Sequence, residues 1–192
     1  MSVVADLSGE ALQAIAGGVR FLKVSHSELL EAGYAAGDTP EQLAAGARRL
    51  QDGSGAPNVI VSRAAEPALA LLGDRLVEVA GPRFQARDHR GAGDSLTAGL
   101  AVGCARGLAL EAALRLGAAA GTLNVTRHGL GSGRRDSIEA IARRIEIRPL
   151  SEEVGQPPVN LSRQDSWQPH EKGAEELSRP QCPAVQRFPE CG

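Results

Sequence analysis

Asp88-His89-Arg90-Gly91-Ala92-Gly93-Asp94-Ser95-Leu96-Thr97-Ala98-Gly99 is the stretch on which the reading of this chain turns. A Gly-Ala-Gly turn runs straight into an apolar helical pattern, Ser95–Arg106. Three small residues in succession let backbone N–H groups converge without side chains in the way. They stand at the start of a helix, where unpaired donors and the macrodipole favour an anion. The turn therefore reads as a cradle for a phosphate. Asp94 falls in the first helical turn, within reach of whatever the cradle holds. A carboxylate beside a phosphate is costly unless it takes up a proton or approaches a metal. The pair points to phosphoryl transfer onto a hydroxyl, with Asp94 as general base. On the residues alone a plainer reading competes, an ordinary Gly-rich turn followed by a helix-terminus acid. A dinucleotide fingerprint does not fit, because Leu96 stands where its third glycine belongs.

On either side of this stretch, short apolar runs alternate with Ala/Leu-rich segments. Val3-Val4-Ala5, ending at Asp6, Phe21-Leu22-Lys23-Val24 and Val59-Ile60-Val61 read as strands. Ala68–Leu72 and Arg75–Val79 read as hairpin arms around Gly73-Asp74, a pair suited to a type II′ turn. Helices are expected over Gly9–Ala16 with Ser8 as N-cap, over Ser27–Ala32, and over Pro40–Leu50 with Thr39 at the cap and Pro40 at the first position. Three more are expected over Ser95–Arg106, Leu110–Gly121 and Asp136–Arg144, the last capped by Asp136. Strands separated by helices predict an α/β fold: a partial, doubly wound, mostly parallel sheet with flanking helices. Ligands bind such sheets beyond the C-terminal ends of the strands.

Composition narrows the function class. The chain has 192 residues and a formal net charge of −2, which excludes a strong general attraction to nucleic acid. Aromatic residues are only 3%, too few for base-stacking platforms. No apolar stretch of about 18 residues lacks charge, so no membrane span is expected. Met1–Asp6 has no basic segment of the signal-peptide kind, and three Cys make no disulfide framework. The expected compartment is the cytoplasm. Composition shifts sharply near residue 150: Ala occurs 29 times before it and twice after, while six of the eleven Pro lie in 151–192. That last segment lacks apolar periodicity and is expected to be a disordered tail behind a 1–150 domain. Cys104 reads as a buried thiol within its helix, and His26 and His128 read as polar loop residues.

The motif Asp88-x-x-Gly91-Ala92-Gly93-Asp94-Ser95-x-Thr97-Ala98-Gly99 resembles the second signature of the ribokinase-like (PfkB) carbohydrate kinase family. Other segments agree in order and spacing: Asp6-Leu7-Ser8-Gly9, Asn124-Val125-Thr126-Arg127-His128-Gly129 and the closing Glu146–Leu150. The resemblance covers residues 1–150 and points to the phosphofructokinase and tagatose-6-phosphate kinase branch. It implies an ATP-dependent kinase acting on a hydroxyl of a small sugar phosphate, with Mg²⁺. It places the catalytic base on Asp94 and the anion hole on Gly91, Ala92 and Gly93. The family's Lys-Pro-Asn-x-x-Glu segment falls on Lys23-Val24-Ser25-His26-Ser27-Glu28. Glu28 keeps the position that helps place magnesium, and Lys23 keeps the position near the nucleotide phosphates. Lys23 is the only Lys among residues 1–150, beside sixteen Arg. Ser62 and Asn124 match nucleotide-binding positions; Asn124 reads equally well as a helix C-cap.

Two departures follow from the same resemblance. The nucleotide loop has Ser62-Arg63-Ala64-Ala65-Glu66-Pro67, so Ala64 and Pro67 replace two glycines of the family pattern. If either position needs a positive φ, Ala costs stability and Pro cannot comply, and ATP binding weakens. The match also begins at the family's second half. That leads to the expectation of an exposed strand edge and an exposed apolar face, covered by a homo-oligomer or a complementary chain. The alternative to an enzyme is a non-catalytic kinase remnant or a partner subunit.

Overall fold

The computed structural model describes residues 3–129 and 131–150. The expected tail over 151–192 lies outside the described residues. Six strands form one sheet in the order in which they occur along the chain: β1 (Val4–Asp6), β2 (Phe21–Ser25), β3 (Asn58–Arg63), β4 (Glu66–Leu72), β5 (Arg75–Ala80) and β6 (Glu146–Pro149). Three helices sit in the first half: α1 (Gly9–Ala14), α2 (His26–Glu31) and α3 (Pro40–Ser54). Three follow β5: α4 (Ala92–Ala105), α5 (Leu110–Asn124) and α6 (Arg135–Ala142).

The α/β class with flanking helices is as read from the sequence, but the sheet is mixed rather than mostly parallel. β1–β2 and β2–β3 pair parallel through helical crossovers, while β3–β4, β4–β5 and β5–β6 pair antiparallel. Connection length decides this. Only Ala64-Ala65 and Gly73-Asp74 separate β3, β4 and β5, and two residues can join strands only as hairpins. Gly73 has φ +59 and Asp74 is not among the positive-φ residues, the pattern of the expected type II′ turn.

The β3–β4 turn is where the family glycines are missing. Ala64 takes φ +51, the one non-glycine residue at positive φ among those described. The strain anticipated from the sequence is thus real at Ala64, whereas Pro67 is accommodated within β4. An Ala in the left-handed region costs about 1–2 kcal/mol, partly offset by the extra unfolded-state freedom of Gly. Ala64→Gly is expected to raise stability by about 0.5–1 kcal/mol in urea melts.

Strand periodicity buries both faces of the sheet. Leu22, Val24, Val59, Val61, Leu69 and Leu71 face one core with Leu29, Leu43 and Leu50 of α2 and α3. Phe21, Ile60, Ala70, Val77 and Val79 face the other with Leu96, Leu100, Leu114 and Leu123 of α4 and α5. Both faces are therefore covered, contrary to the expected bare apolar face. The large hydrophobic side chains exposed among the described residues are Phe84 and Val102. β1 and β6 form the edges of the sheet.

Helix boundaries differ where capping was read from single residues. Thr39 and Gln42 form the capping box of α3, with Pro40 at its start, as the sequence indicates. Ser8 precedes α1 but its side chain makes no cap bond, and α6 begins at Arg135, so Asp136 lies in its first turn rather than at its cap. α4 starts at Ala92, three residues early, because Gly93 is helical rather than part of the turn. α4 and α5 pack with almost no side chain between them. A Cβ on Gly99 would lie 2.7 Å from Gly117 Cα, and one on Gly103 would lie 2.7 Å from Ala113 Cα. No helix among the described residues is long and apolar enough to cross a membrane.

Candidate active site

The parallel strands β1, β2 and β3 end at one edge of the sheet, and the sequence-selected residues gather there. Register pairs Asp6 with Lys23 and Ser25 with Ser62. α4 begins above this edge. Gly91, its N-cap, adopts φ +72, a left-handed conformation that glycine adopts without a Cβ clash. The N–H groups of Ala92, Gly93 and Asp94 have no preceding helical carbonyl to bond, so the first turn of α4 offers donors to an anion. Asp94 is exposed on that turn.

Period-2 alternation aims Lys23 at the same face as Phe21, which is the face α4 covers. The side chain runs beneath the start of the helix. A Cβ on Gly93 would lie 2.8 Å from Lys23 Nζ. Lys23 is only 6% exposed, and its ammonium donates to both carboxylate oxygens of Asp6 at 3.1 Å. A buried ammonium needs such a partner. Thr97, one turn into α4, lies with Oγ1 3.0 Å from Asp6 Oδ2 and 3.1 Å from the Gly93 carbonyl. Asp6, Lys23, Thr97 and Gly93 are one connected cluster. Asp6 and Thr97 were not singled out as site residues in the sequence. A carboxylate closing a parallel strand, paired in register with the one Lys among residues 1–150, is the signal that would have found Asp6.

Glu28 lies on α2 at the end of β2. Its Oε2 accepts from the Ser25 N–H at 2.7 Å, and the Glu28 N–H donates to Ser25 Oγ at 3.2 Å. This capping box explains how Ser can stand at the Asn position of the family pattern: it starts the helix. Burial pushes the Glu28 carboxyl up, but the Ser25 N–H, the Ser25 hydroxyl and the Lys23 charge together hold it below the usual carboxylate range. Ser62 sits one strand over, and its carbonyl lies 3.4 Å from His26 Nδ1.

Asn124 is the last residue of α5 and is 4% exposed. Its Nδ2 donates to the Arg90 carbonyl at 2.7 Å. Arg90 is also held from its other side. Asp88 Oδ1 accepts from the Arg90 N–H at 3.0 Å, and the Asp88 carboxylate pairs with the guanidinium at 2.9–3.1 Å. The Arg90 guanidinium and N–H hold the Asp88 carboxyl down at about 2, with His128 adding charge. Between α4, α5 and α6 lies a mainly apolar groove of about 300 Å³, lined by Ser95, Gly99, Leu116, Ala120, Asn124 and Ile138 among others. It opens beside the start of α4 and has room for a flat heterocycle.

Lys23 and the Gly91–Gly93 turn are therefore brought together, with Asp94 on the same helical turn. Glu28 feels the Lys23 charge, and Asn124 meets the turn through Arg90. Among the described residues no cluster of three or more His, Cys, Asp or Glu could hold a metal by protein ligands alone. Mg²⁺ commonly uses one or two carboxylates, several waters and substrate phosphates. Glu28, whose Oε1 has no protein partner among the described residues, fits that kind of site.

The chain is 37% identical over 155 residues to ATP-dependent 6-phosphofructokinase isozyme 2 of Mycobacterium tuberculosis, covering 80% of this chain and 44% of that one. It is 35% identical over 131 residues to 1-phosphofructokinase of Bacillus subtilis, covering 68% of this chain and 43% of that one. The phosphofructokinase-2 structure from Escherichia coli in complex with fructose-6-phosphate superposes with a TM-score of 0.63 at 26% identity, over 74% of this chain and 46% of that one. Ribokinase from Thermotoga maritima shares the fold, with a TM-score of 0.56 at 22% identity over 70% of this chain and 44% of that one. The chain thus spans less than half the length of the curated relatives it matches. With the pfkB family carbohydrate kinase pattern matched over residues 1–136, the chain belongs to the pfkB family.

Proposed function

We propose that this chain carries the phosphoryl-transfer machinery of a phosphofructokinase-like kinase, which moves the terminal phosphoryl group of Mg·ATP to a hydroxyl of a sugar phosphate. The observation that carries the reading is the buried Lys23 ammonium beneath Gly93, at the open N-terminus of α4. Few structural needs put a lone buried lysine under a glycine turn, whereas a triphosphate needs both the cation and the N–H donors.

The first-turn N–H groups hold the oxygens of the transferred group, and Lys23 neutralises charge on the same phosphate. The base sits in the apolar groove beside Asn124 and Ser95. Glu28 would hold a magnesium ion through water, and the ion would supply charge neutralisation at the phosphates. Asp94 accepts the proton of the attacking sugar hydroxyl as the new P–O bond forms and the old one to ADP breaks. The hydroxyl belongs to a sugar phosphate of the fructose 6-phosphate or fructose 1-phosphate type, by analogy with the relatives' activities.

A second reading is favoured by Ala64, whose strained turn departs from the family's nucleotide loop and weakens nucleotide binding: a non-catalytic kinase remnant. Incubation with Mg·ATP and each fructose phosphate, followed by ADP release and calorimetry, separates the two. ADP release dependent on the sugar phosphate supports the enzyme. Saturable Mg·ATP binding without ADP release supports the second reading. A folded chain that binds no Mg·ATP overturns the enzyme and leaves the remnant.

A further inference from the structure

We infer that Asn124 is a positioning residue that sets the phosphate turn through the Arg90 carbonyl. The functional consequence rests on the proposed phosphotransfer; the geometric claim stands without it.

The backbone of Arg90 is held at both its N–H and its carbonyl. Its N–H donates to Asp88 Oδ1 at 3.0 Å, and its carbonyl accepts from Asn124 Nδ2 at 2.7 Å. Two N–H groups earlier in the same segment, of Arg87 and Asp88, both donate to the Val125 carbonyl, at 2.7 and 3.3 Å. The C-terminal end of α5 thus binds three backbone groups of the segment that leads into Gly91. The same helix supports the far side of the turn: a Cβ on Gly121 would lie 3.0 Å from the Ala92 carbonyl. Between these two supports Gly91 takes φ +72 and the first-turn N–H groups of α4 emerge.

The chemistry of asparagine suits this role. Its buried amide can donate to a carbonyl without carrying charge, whereas a buried carboxylate there would face that carbonyl oxygen with no proton to give. Loss of the bond frees the Arg90 carbonyl to rotate and lets Gly91 leave its left-handed well. The turn then loses the fixed geometry that anion binding requires.

The test is a ¹⁵N-labelled chain carrying Asn124→Asp, compared with the unsubstituted protein. The amide signals of Gly91, Ala92 and Gly93 are expected to shift and to broaden as the turn loses its single conformation. The amides of β3, β4 and β5 are expected to stay in place. Mg·ATP titration of the same samples is expected to show weaker binding. Unmoved Gly91–Gly93 signals overturn the inference: with weakened Mg·ATP binding they make Asn124 a direct nucleotide contact, and with unchanged binding they leave it no part in the site. If Asn124→Asp does not fold, Asp88→Ala removes the acceptor on the other side of Arg90 and is expected to move the same three signals; their staying fixed overturns the inference. If the unsubstituted chain binds no Mg·ATP, the proposed function fails while the three amides still decide the positioning role.

Discussion

Gly93→Val is expected to weaken Mg·ATP binding by about 100-fold while leaving the chain folded. Gly93 lies inside α4 at ordinary helical φ, so valine meets no backbone strain there. The atom a new Cβ would strike, at 2.8 Å, is Lys23 Nζ, the free end of a flexible side chain. The helix therefore stays in place and the ammonium moves. Its displacement breaks the bonds to Asp6 and removes the cation from beneath the turn, while the valine methyl groups crowd the space a phosphate needs. Displacement of this size costs about 3 kcal/mol of binding, which converts to roughly two orders of magnitude in affinity. Calorimetry with Mg·ATP, beside a thermal melt, reads both quantities. Unchanged affinity in a folded variant would remove Lys23 and the turn from nucleotide binding.

The second large effect concerns the chemical step. Asp94→Asn is expected to lower sugar-phosphate-dependent ADP release by about 10³-fold. Mg·ATP affinity is expected to stay within about threefold, since Asp94 stands exposed on the first turn, off the Lys23–Asp6 cluster. A loss confined to KM would recast Asp94 as a substrate-binding group. Retained turnover would eliminate it as the base. The two substitutions are one residue apart and act on different steps, so together they separate holding the phosphate from moving the proton.

Much of the site was legible because its signals are local. Gly91-Ala92-Gly93-Asp94 marks its place directly: small residues at a helix start, then an acid. Thr39-Pro40 states a helix start equally plainly. Gly93 was read as turn rather than helix because a residue-by-residue propensity cannot register that its missing Cβ makes room for a lysine seventy positions earlier in the chain. Asp6 escaped notice for the same reason. Its partners, Lys23 and Thr97, are joined to it by strand register and by helix packing, and neither is written in the local pattern. The direction of β4 and β5 was legible at Gly73-Asp74, but not at Ala64-Ala65, where two residues with no turn preference make a strained hairpin. The Ser25–Glu28 pair was visible as a spacing, yet its meaning as a capping box depends on β2 ending at Ser25.

The burial of Lys23 has a practical consequence for watching this protein work. The sequence holds two lysines, Lys23 and Lys172, so selective ¹⁵N or ¹³C labelling of lysine gives a spectrum of two side-chain signals. One belongs to Lys23, which is 6% exposed and clasped by a carboxylate beneath the start of α4. An amine so enclosed exchanges its protons slowly and reacts poorly with acylating reagents. Lys23 has thereby become a single-site spectroscopic probe, built into the chain by its preference for arginine everywhere else in its first 150 residues.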